Sequence, residues 1–527
     1  MAERSGGPDR TPVLVGVGQI TDRASPETGL SPLELMERAA RRAAEDAGPA
    51  EALLAALDVV ATSGLTVDED IAGLEGLRTY KNAPMTLCRR LGVSPRQAVT
   101  NPVGGDTPQK LVNHYAAEIA AGRSEAALLA GGEALKTMMG RLAAGLDLEA
   151  WREDPDAAPP ALLAPPRPPA TAHEVAHGIQ YPANVYPLFE NALRRKHGWS
   201  LDAHASAMGA LFARFAAVAA EHPDAWYPTA RSAEELATPS PQNRMVAFPY
   251  PKYLNAVIQV NMAAAVILTT RDRARALGVP EEKLVYLLGC GDATDVWHVT
   301  ERADFQSSPG FRLAAEEALR MADISVDQID LFDLYSCFPC AVRIALDTLG
   351  VAADDPRSLT VTGGLPYFGG PGNNYTMHGI VSMAERLRAR PGAVGFVNGN
   401  GWFLTKHAVG VYATAPQGGR APFADAAWSR RAPTDYAGDL ATGDAPTFTE
   451  QPVGTGRVET YTVIFDRTGP TRGVVVGRLE SGARFLAETP DDRDLLEKIC
   501  AIDFLDATGQ ARPAAEPGGV NRFTPAP

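Results

Sequence analysis

The sequence is poor in cysteine, in basic residues and in long apolar runs. Its 527 residues contain 5 cysteines, too few for a disulfide framework, so we expect a reducing cytoplasmic environment. The 49 Lys and Arg residues against 63 Asp and Glu give a net charge of -14, which argues against nucleic-acid binding. No run approaches the roughly 18 apolar residues of a membrane span, and the polar first ten residues predict no secretory signal.

The composition is otherwise that of a globular protein. Hydrophobic residues make up 45% of the chain and charged residues 21%, a balance typical of soluble domains. A chain of 527 residues is too long for one ordinary core, so we expect about two to four domains.

Strand and helix patterns alternate along the first part of the chain. Residues 32–48 form a predicted helix, with Ser31 as its N-cap and Gly48 at its end. The other predicted elements are strands at 11–22, 55–64 and 126–131 and a helix at 107–121. This alternation predicts an α/β domain with a mainly parallel sheet.

The same order of elements returns after residue 283. Predicted strands lie at 283–289, 329–334, 395–397 and 408–412, and predicted helices at 310–322 and 377–388. Two α/β halves with one pattern indicate an internal duplication.

The remaining regions differ from these halves in composition. We divide the chain into a first α/β half (1–139, completed by 246–282), an inserted loop-rich region (140–245), a second half (283–416), a linker (417–444), an antiparallel β-barrel (445–510) and a disordered tail (511–527). The insertion holds a proline tract and a predicted helix at 201–221, and we expect it to lie over the α/β core. Alternating apolar and polar residues between turn signals predict the barrel.

Four segments resemble, in order and spacing, the segments that carry chemistry in thiolases. They are residues 101–109 (NPVGGDTPQ), 330–338 (DLFDLYSCF), 369–379 (GGPGNNYTMHG) and 395–401 (GFVNGNG). The resemblance covers residues 11–415 and implies a duplicated thiolase fold with a layered αβαβα core. The whole chain looks most similar to thiolase-like proteins of type 1, which carry a small OB-like barrel after the thiolase domain.

The resemblance also implies where the catalytic residues would stand, and this sequence lacks them. The turn that carries the nucleophilic cysteine in thiolases holds Gly105 and Asp106 here. Tyr335 stands at the oxyanion-hole position, Asn373 at the histidine and Asn398 at the second cysteine. An amide serves neither as a thiolate nor as a general base at neutral pH, so we expect no ordinary thiolase activity.

Three side chains remain as candidate catalytic groups, namely Tyr335, His378 and Asp106. Tyr335 is interpreted either as an acid/base group or oxyanion donor, or as a core tyrosine whose hydroxyl is satisfied. Asp106 is interpreted first as a cap of the following helix. His378 and His407 lie in segments near the site, and each is either a catalytic base or, more often for a lone histidine, a structural residue.

Glycines in two of these segments have competing interpretations. Gly369, Gly370, Gly399 and Gly401 permit close backbone approach, which suits both a ligand loop for coenzyme A and a tight turn. The segments match neither the dinucleotide-binding pattern nor a P-loop, so neither NAD-dependent nor nucleotide-hydrolysing activity is predicted.

The pair Cys337 and Cys340 forms a C-x-x-C motif. A zinc site needs further ligands at matching spacing, and the sequence has no second pair of this kind. We therefore favour small buried residues over a metal or redox role, with a rescued nucleophile at Cys337 as the alternative. No metal is predicted.

The leading functional hypothesis is a thiolase-like acyl-CoA-binding protein that lacks thiolase activity. No tightly bound cofactor is predicted, and a coenzyme A thioester is the candidate ligand. One alternative is a thiolase-like aldolase, or another enzyme acting on a C–C bond in an acyl-CoA, with Tyr335 as acid/base. Another alternative is an assembly scaffold, and both a monomer and a homodimer remain open.

Overall fold

The α/β segments form one sheet of ten strands, and C-terminal segments build most of a second sheet. The structure, a computed structural model, describes residues 9–68, 79–153, 157–415, 418–419, 421–423, 427–516 and 518–526. Residues 1–8, on which the prediction of no secretory signal largely depends, lie outside the described residues, as do parts of the predicted linker.

The first α/β half begins with strand, helix and strand, as its sequence pattern predicts. Its strands are β1 (Pro12–Thr21), β2 (Val59–Ser63), β3 (Gln97–Asn101) and β4 (Ala126–Ala134). Its helices are α1 (Pro32–Ala47), α2 (Ala50–Ala55), α3 (Ala83–Leu91), α4 (Thr107–Ala120) and α5 (Leu135–Ala143).

Local signals explain the bounds of α1. Ser31 Oγ accepts a hydrogen bond from the backbone N–H of Glu34 at 3.2 Å, and Glu34 Oε2 accepts one from the N–H of Ser31 at 2.8 Å. This reciprocal arrangement is a capping box, which satisfies two donors at the start of a helix. Gly48 ends the helix with a positive φ of 100°, so both predicted ends are confirmed.

The insertion and the return to the first half follow in the chain. The predicted insertion (140–245) contains β5 (Ala161–Leu162), α6 (Ala172–Ala176), α7 (Pro182–His197), α8 (Leu201–Glu221) and α9 (Ala233–Ala237), and β6 (Met245–Ala247) and β7 (Tyr250–Pro251) follow at its end. The chain then re-enters the large sheet through β8 (Asn261–Thr270) and continues into α10 (Arg271–Ala276).

The second half repeats the first and is followed by the C-terminal region. Its elements are β9 (Val285–Thr294), α11 (Pro309–Ala322), β10 (Leu331–Asp333), α12 (Pro339–Leu349), α13 (Tyr375–Ala389), β11 (Val394–Gly401) and β12 (Lys406–Ala413). The C-terminal region contains α14 (Pro433–Tyr436), β13 (Gly454–Phe465), β14 (Pro470–Leu479), β15 (Arg484–Glu488), α15 (Arg493–Ala501), β16 (Thr508–Arg512) and β17 (Arg522–Pro525).

The large sheet has the strand order β10-β11-β12-β9-β1-β8-β4-β2-β3-β5. Pairs at the two ends of this order are parallel, namely β10–β11, β4–β2, β2–β3 and β3–β5. The central strands are antiparallel, because β8, β9 and β12 each run opposite to both of their neighbours. The prediction of a mainly parallel sheet is therefore wrong, and the sheet is mixed.

The two halves carry the same glycine pattern, which supports the predicted duplication. In the first half, a Cβ added to Gly16 of β1 would lie 2.0 Å from the carbonyl oxygen of Ala43 in α1. In the second half, a Cβ added to Gly289 of β9 would lie 2.0 Å from the carbonyl oxygen of Ala318 in α11. Each first strand thus needs a residue without a side chain where its first helix crosses it.

Helices α4 and α13 lie inside the molecule, between the two halves of the sheet. Leu111 and Tyr115 of α4 share one buried cluster with Met377 of α13 and with strand residues of both halves, such as Leu129 and Val397. Helices α1 and α3 cover one outer face, and α11 and α12 cover the other. These contacts give the five alternating layers that the resemblance implies.

The insertion packs on the second half rather than extending into solvent. Phe189 of α7 and Phe212 of α8 belong to the same buried cluster as Phe311 of α11 and Ile344 of α12. Among the described helices, α8 alone is long and apolar enough to cross a membrane, by length and composition only. Phe212 and Phe215 of α8 are fully buried and belong to that same core cluster.

Five C-terminal strands close into a barrel in the order β13-β14-β15-β17-β16, and β16 pairs again with β13. The prediction of a disordered tail from residue 511 is wrong. Residues 509–512 pair with 522–525, and Phe523 is fully buried inside the barrel. Strand β17 is short and follows a polar segment, so the sequence does not predict it. It forms because it pairs with β16 and not because of its local β propensity.

Candidate functional site

The site that the resemblance implies lies where α4 begins. The turn before this helix is fixed by Asn101, whose Nδ2 donates to Thr107 Oγ1 at 3.0 Å, and by Thr107 Oγ1, which donates to the carbonyl of Pro102 at 3.0 Å. Asp106 is the N-cap residue of α4, but its side chain makes no capping hydrogen bond. The interpretation of the Asp106 carboxylate as a helix cap is therefore wrong.

Asp106 instead pairs with a lysine at the start of β12. Lys406 Nζ lies 3.3 Å from Asp106 Oδ1 and donates to the carbonyl of Val103 at 2.8 Å. Two glycines leave room for this pair, because a Cβ at Gly104 would lie 2.3 Å, and one at Gly401 2.1 Å, from Asp106 Oδ1. Sequence reasoning missed Lys406, which stands in no recognisable motif and comes close only through the fold.

Tyr335 fills the space in front of the same turn. A Cβ added to Gly105 would lie 2.0 Å from Tyr335 Oη and 2.6 Å from the carbonyl oxygen of Asn400. The Tyr335 side chain is buried, and burial, ahead of the neighbouring Cys337 and Asp106, raises the pKa of its hydroxyl well above the usual value. A phenol in this state is protonated at neutral pH and gives up its proton only weakly.

Two asparagine side chains, Asn373 and Asn398, form hydrogen bonds with the backbone of neighbouring loops. Asn373 Oδ1 accepts from the N–H of Gly104 at 2.9 Å, while its Nδ2 donates to the carbonyl of Gly64 at 2.8 Å. Asn398 Oδ1 accepts from the backbone N–H of Tyr335 at 3.1 Å. The two asparagines that the resemblance places at the histidine and second-cysteine positions therefore bind backbone groups.

The hairpin between β11 and β12 is held by Tyr186 from the insertion. Its hydroxyl donates to the carbonyl of Trp402 at 2.8 Å and accepts from Asn400 Nδ2 at 3.0 Å and from the N–H of Leu404 at 3.3 Å. Trp402 and Leu404 have φ values of 57° and 56°, which side chains other than glycine adopt at a cost. Tyr186 thus fixes a strained turn beside the site.

Little space remains between these groups. The cavity lined by Tyr335, Asn398, Asn400 and His407 has a volume of about 10 Å³. A single water molecule needs roughly 10–15 Å³ of such volume. This cavity therefore has room for about one water molecule.

His378 does not join this group of residues. Its Nδ1 lies 2.9 Å from Gln19 Oε1, Gln19 Nε2 donates to Ser382 Oγ at 3.3 Å, and His222 Nε2 lies 3.0 Å from the same Ser382 Oγ. Burial, with a smaller contribution from His222, lowers the pKa of His378 to about 3. The structure gives His378 a polar contact with Gln19 on β1 rather than with Asp106 or Tyr335, and its catalytic role stays a prediction.

His407 does lie at the site. Its Nε2 is 3.0 Å from Ser308 Oγ and 3.1 Å from the carbonyl oxygen of Leu404. Burial lowers its pKa, so the ring is neutral at neutral pH. His407 and Tyr335 line the same small cavity, and a catalytic role for His407 stays a prediction.

The glycines predicted to contact a ligand are in contact with protein. A Cβ at Gly399 would lie 2.8 Å from Asp106 Cα, and one at Gly369 would lie 2.8 Å from Met262 Sδ. For Gly370 the nearest atom would belong to Leu365, at 3.2 Å. These glycines allow loops to approach one another, and their contact with coenzyme A stays a prediction.

The cysteine pair packs as a pair of small buried residues. Cys337 and Cys340 are both free and buried, and Cys340 Sγ lies 3.5 Å from the carbonyl oxygen of Tyr186. Burial raises the pKa of the Cys337 thiol to about 12, which removes the thiolate that a nucleophile needs. Across the described ranges, no cluster of three or more His, Cys, Asp or Glu residues fits a metal ion.

The architecture is that of the thiolase fold. A family profile described as "Thiolase C-terminal domain-like" matches residues 291–370, and one described as "Thiolase-like protein type 1 additional C-terminal domain" matches residues 438–513. The second match covers the barrel apart from its last strand.

A crystal structure of a monomeric SCP2-thiolase-like protein type 1 from Mycobacterium smegmatis is similar over the whole chain. The two share 36% identity with a TM-score of 0.82, and the alignment covers 98% of this chain and 100% of that one. This chain therefore belongs to the SCP2-thiolase-like protein type 1 family. The thiolase-like resemblance and the fold class predicted from sequence are both confirmed.

More distant solved structures share the fold alone. The Ltp2-ChsH2(DUF35) aldolase has 16% identity and a TM-score of 0.57, covering 77% of this chain and 98% of that one. An acetyl-CoA acetyltransferase from Syntrophomonas wolfei has 16% identity and a TM-score of 0.53, covering 76% of this chain and 98% of that one.

Proposed function

We propose that this chain is a thiolase-fold protein that carries out no thiolase chemistry, because its acyl-transfer centre is closed. The observation that carries the proposal is the position of Tyr335, whose hydroxyl would lie 2.0 Å from any Cβ at Gly105. With a residual cavity of about 10 Å³, the centre is too small for an acyl thioester.

The chemistry of the neighbouring groups supports the same proposal. Thiolase chemistry requires an activated thiolate and a base. Asn373 and Asn398 offer neither and are engaged by backbone groups. The thiol of Cys337, two residues after Tyr335 in the chain, is protonated at neutral pH, because burial raises its pKa to about 12.

The test is an assay of thiolysis and of condensation with the purified chain. With acetoacetyl-CoA and coenzyme A we expect no turnover above a heat-denatured sample, while an authentic thiolase in the same assay provides the positive control. Turnover by the wild-type chain that persists in a variant with all 5 cysteines replaced by serine would show a non-thiol route and sink the proposal. Turnover that disappears in that variant would also overturn the proposal, because it would show that one of the cysteines acts as the nucleophile.

Acyl-CoA binding, implied by the resemblance, is part of the proposal in a restricted form. Since the closed centre gives an acyl group no place, we expect coenzyme A thioesters to bind no more tightly than coenzyme A itself. Calorimetric titration of coenzyme A, acetyl-CoA and a longer 3-hydroxyacyl-CoA tests this. A clear gain in affinity with the acyl group would show that Tyr335 moves aside and that the centre is in use.

A C–C bond enzyme is the second candidate, and one observation favours it. Tyr335 and Asp106 are close enough for the Asp106 charge to contribute to the raised pKa of the phenol, so a proton donor and a carboxylate share one centre. In this case the wild-type chain would turn over a 3-hydroxyacyl-CoA and Tyr335→Phe would not. Equal turnover by both proteins would remove Tyr335 from the mechanism.

We also propose that the chain is monomeric, whether it works alone or as an assembly scaffold. An uncovered edge strand can pair with another chain. In this chain β5 pairs in parallel with β3 at Val99 and Thr100, so that β3 is not an uncovered edge. The Mycobacterium smegmatis relative is itself described as monomeric. Light scattering after gel filtration should give one species of 55.8 kDa, and a dimer mass would contradict this.

A cytoplasmic location remains a proposal, supported by 5 free cysteines.

A further inference from the structure

A buried hydrogen bond joins the insertion to the last strand of the barrel. His177 lies at the C-terminal end of α6, and Asn521 directly precedes β17. Both residues are fully buried. The backbone N–H of Asn521 donates to His177 Nε2 at 2.9 Å. The imidazole ring of His177 therefore holds the segment through which the barrel closes.

The two contacts of the imidazole ring define its protonation state. Nδ1 of His177 lies 2.8 Å from the carbonyl oxygen of His173, which only accepts, so Nδ1 carries the proton. Nε2 accepts from the N–H of Asn521 and is therefore unprotonated. Both hydrogen bonds exist together only while the ring is neutral. Protonation of Nε2 would turn it into a donor that faces the N–H of Asn521, and the contact would be lost.

The contact between β15 and β17 depends on Asn521. Its carbonyl oxygen accepts from the N–H of Glu488 at 2.9 Å, its Nδ2 donates to the carbonyl of Leu486 at 2.9 Å, and its Oδ1 accepts from the N–H of Ala514 at 3.0 Å. The strands β15 and β17 otherwise pair at one position, Glu488 with Arg522. Strands β16 and β17 pair at all four positions from 509 to 512. A displaced Asn521 would therefore open the barrel between β15 and β17.

The charges near His177 oppose its protonation. Arg472 of β14 and Arg522 of β17 share one carboxylate, that of Glu488 of β15, at 3.3 Å each. The other titratable groups on the neighbouring elements are His173 and Glu174 on α6 and Glu450 before β13. Among the described residues, the histidines that pair with a carboxylate are His197, His204, His298 and His407. A proton on His177 would thus gain no paired carboxylate there and would repel Arg522 on the strand that it holds.

We propose that His177 is an acid-sensitive switch, in which protonation of Nε2 releases Asn521 and opens the barrel between β15 and β17. Opening exposes Phe523, whose ring is fully buried in the closed barrel. The switch is separate from the acyl-transfer centre, because it involves neither Tyr335 nor a thioester.

The pH range of the switch follows from linkage. Burial, ahead of the nearby cations Arg472 and Arg522, lowers the pKa of His177 to about 4, whereas an exposed histidine has a value of about 6.5. The open barrel therefore binds more protons than the closed barrel between these values. The open fraction rises as pH falls from about 6.5 towards 4, by up to about tenfold for each pH unit.

The first test measures hydrogen exchange in the wild-type full-length chain at pH 7, 6 and 5, with rates corrected for the pH dependence of intrinsic exchange. The open fraction of segment 521–525 should rise by up to about tenfold between pH 6 and pH 5. Strand β1, inside the large sheet, should stay more protected than this segment at each pH. An unchanged open fraction, or exchange at the same rate in both segments, would overturn the proposal.

The variant His177→Gln isolates the histidine. A glutamine Oε1 accepts from the N–H of Asn521 at every pH, so the rise between pH 6 and pH 5 should fall to about twofold or less. His298→Gln, at a partly exposed position, is the control and should keep the wild-type rise. An equal rise in wild type and His177→Gln would reject the switch.

A measurement on the wild type needs no folded variant. Histidine-selective nitrogen-15 labelling reports which ring nitrogen of His177 carries the proton. We expect a proton on Nδ1 alone at pH 7, with protonation of Nε2 and exchange in segment 521–525 increasing over the same pH range. A proton on Nε2 at pH 7 would overturn the proposal, while the thiolysis result would stand unaffected.

Discussion

Asp106 and Lys406 form an ion pair of 3.3 Å at the start of α4, although 300 residues separate them in the chain. Their side chains are 2% and 14% exposed, so the pair is largely withdrawn from water. It joins the first half of the molecule to the second, because Asp106 precedes α4 and Lys406 opens β12. The pair therefore links the two α/β halves at the turn where the resemblance places a nucleophile.

Removal of the lysine alone should destabilise the protein. Lys406→Met leaves the Asp106 carboxylate buried without its cation, a change that typically costs about 3–5 kcal/mol. In the double variant Lys406→Met with Asp106→Asn, much of this loss should be recovered. Urea unfolding measures both, with Lys252→Met as a surface control. If Lys406→Met and Lys252→Met have equal stability, the pair contributes nothing.

The contact between Gly105 and Tyr335 gives a second prediction. In Gly105→Ala the new methyl group would meet the Tyr335 hydroxyl at 2.0 Å and the carbonyl oxygen of Asn400 at 2.6 Å. We expect a loss of about 1–3 kcal/mol from overpacking. The loss should be smaller in a Tyr335→Ala background, where the ring is absent.

A double-mutant cycle on unfolding free energies measures this coupling. Gly438→Ala is the control, because a Cβ at Gly438 would meet no atom within 4 Å, and it should be neutral. An identical cost of Gly105→Ala with and without the Tyr335 ring would show that the ring does not close the centre.

These contacts mark the limit of what the sequence predicts. The ends of α1 are encoded locally by Ser31, Glu34 and Gly48, and α8 was predicted at its observed bounds, 201–221. Such signals act within a few residues and can be read from the chain alone. The partner of Asp106 cannot be predicted in this way, because Lys406 comes close to it only when the two halves of the chain pack together.

The direction of the strands in the large sheet is the second feature that the local sequence does not predict. Residues 261–270 have the apolar character of a buried strand whichever way they run, and only the path through the insertion makes β8 antiparallel to β1 and β4. Strand β17 is likewise defined by its pairing with β16. The family resemblance supplied the layered core correctly, since four ordered segments constrain a fold more strongly than periodicity does.

Buried histidines predict a loss of stability in acid. Burial lowers the pKa of His378 to about 3 and those of His222 and His177 to about 4, below the value of about 6.5 in an unfolded chain. Between these values the unfolded state binds more protons than the folded state, so stability falls as pH drops below about 6.5. Each histidine contributes a slope of up to about 1.4 kcal/mol per pH unit.

The measurement is urea unfolding at pH 7, 6 and 5 in wild type and in His378→Gln. The variant should show a shallower decline with falling pH, whatever its stability at pH 7. His298→Gln, at a partly exposed position, serves as the control and should keep the wild-type slope. Parallel curves for wild type and His378→Gln would assign the acid sensitivity to other groups.

The duplicated glycines predict equivalent effects in the two halves. Gly16→Ala and Gly289→Ala each bring a methyl group within 2.0 Å of a helix carbonyl, on Ala43 and Ala318 respectively. We expect each to cost about 1–3 kcal/mol, with the disturbance confined to the half concerned. Hydrogen exchange should quicken in α1 for the first variant and in α11 for the second. Faster exchange in both helices from either variant would contradict a repeat that packs locally.

Arg484 anchors the barrel to the second half, and its loss should release the barrel. This fully buried side chain pairs with Glu459 at 2.6 Å and donates to the carbonyl oxygens of Thr300 at 3.0 Å and of Ala303 at 3.1 Å, as well as to that of Arg302. A planar guanidinium reaches several acceptors at once, whereas a lysine ammonium is a single point charge.

Arg484→Met should therefore cost about 1–3 kcal/mol, because it leaves the carbonyl oxygens of Thr300 and Ala303 without a buried donor, while Glu459 keeps its pair with Arg478 at 2.7 Å. Arg484→Lys should recover only part of this. Limited proteolysis in segment 427–453 should cut Arg484→Met faster than wild type, since an undocked barrel exposes that connection. Arg493→Met, which removes an exposed pair with Glu497, should cost no more than about 0.5 kcal/mol and should not speed cleavage. If both arginine variants are cleaved at the wild-type rate, the barrel is held by its apolar contacts and not by Arg484.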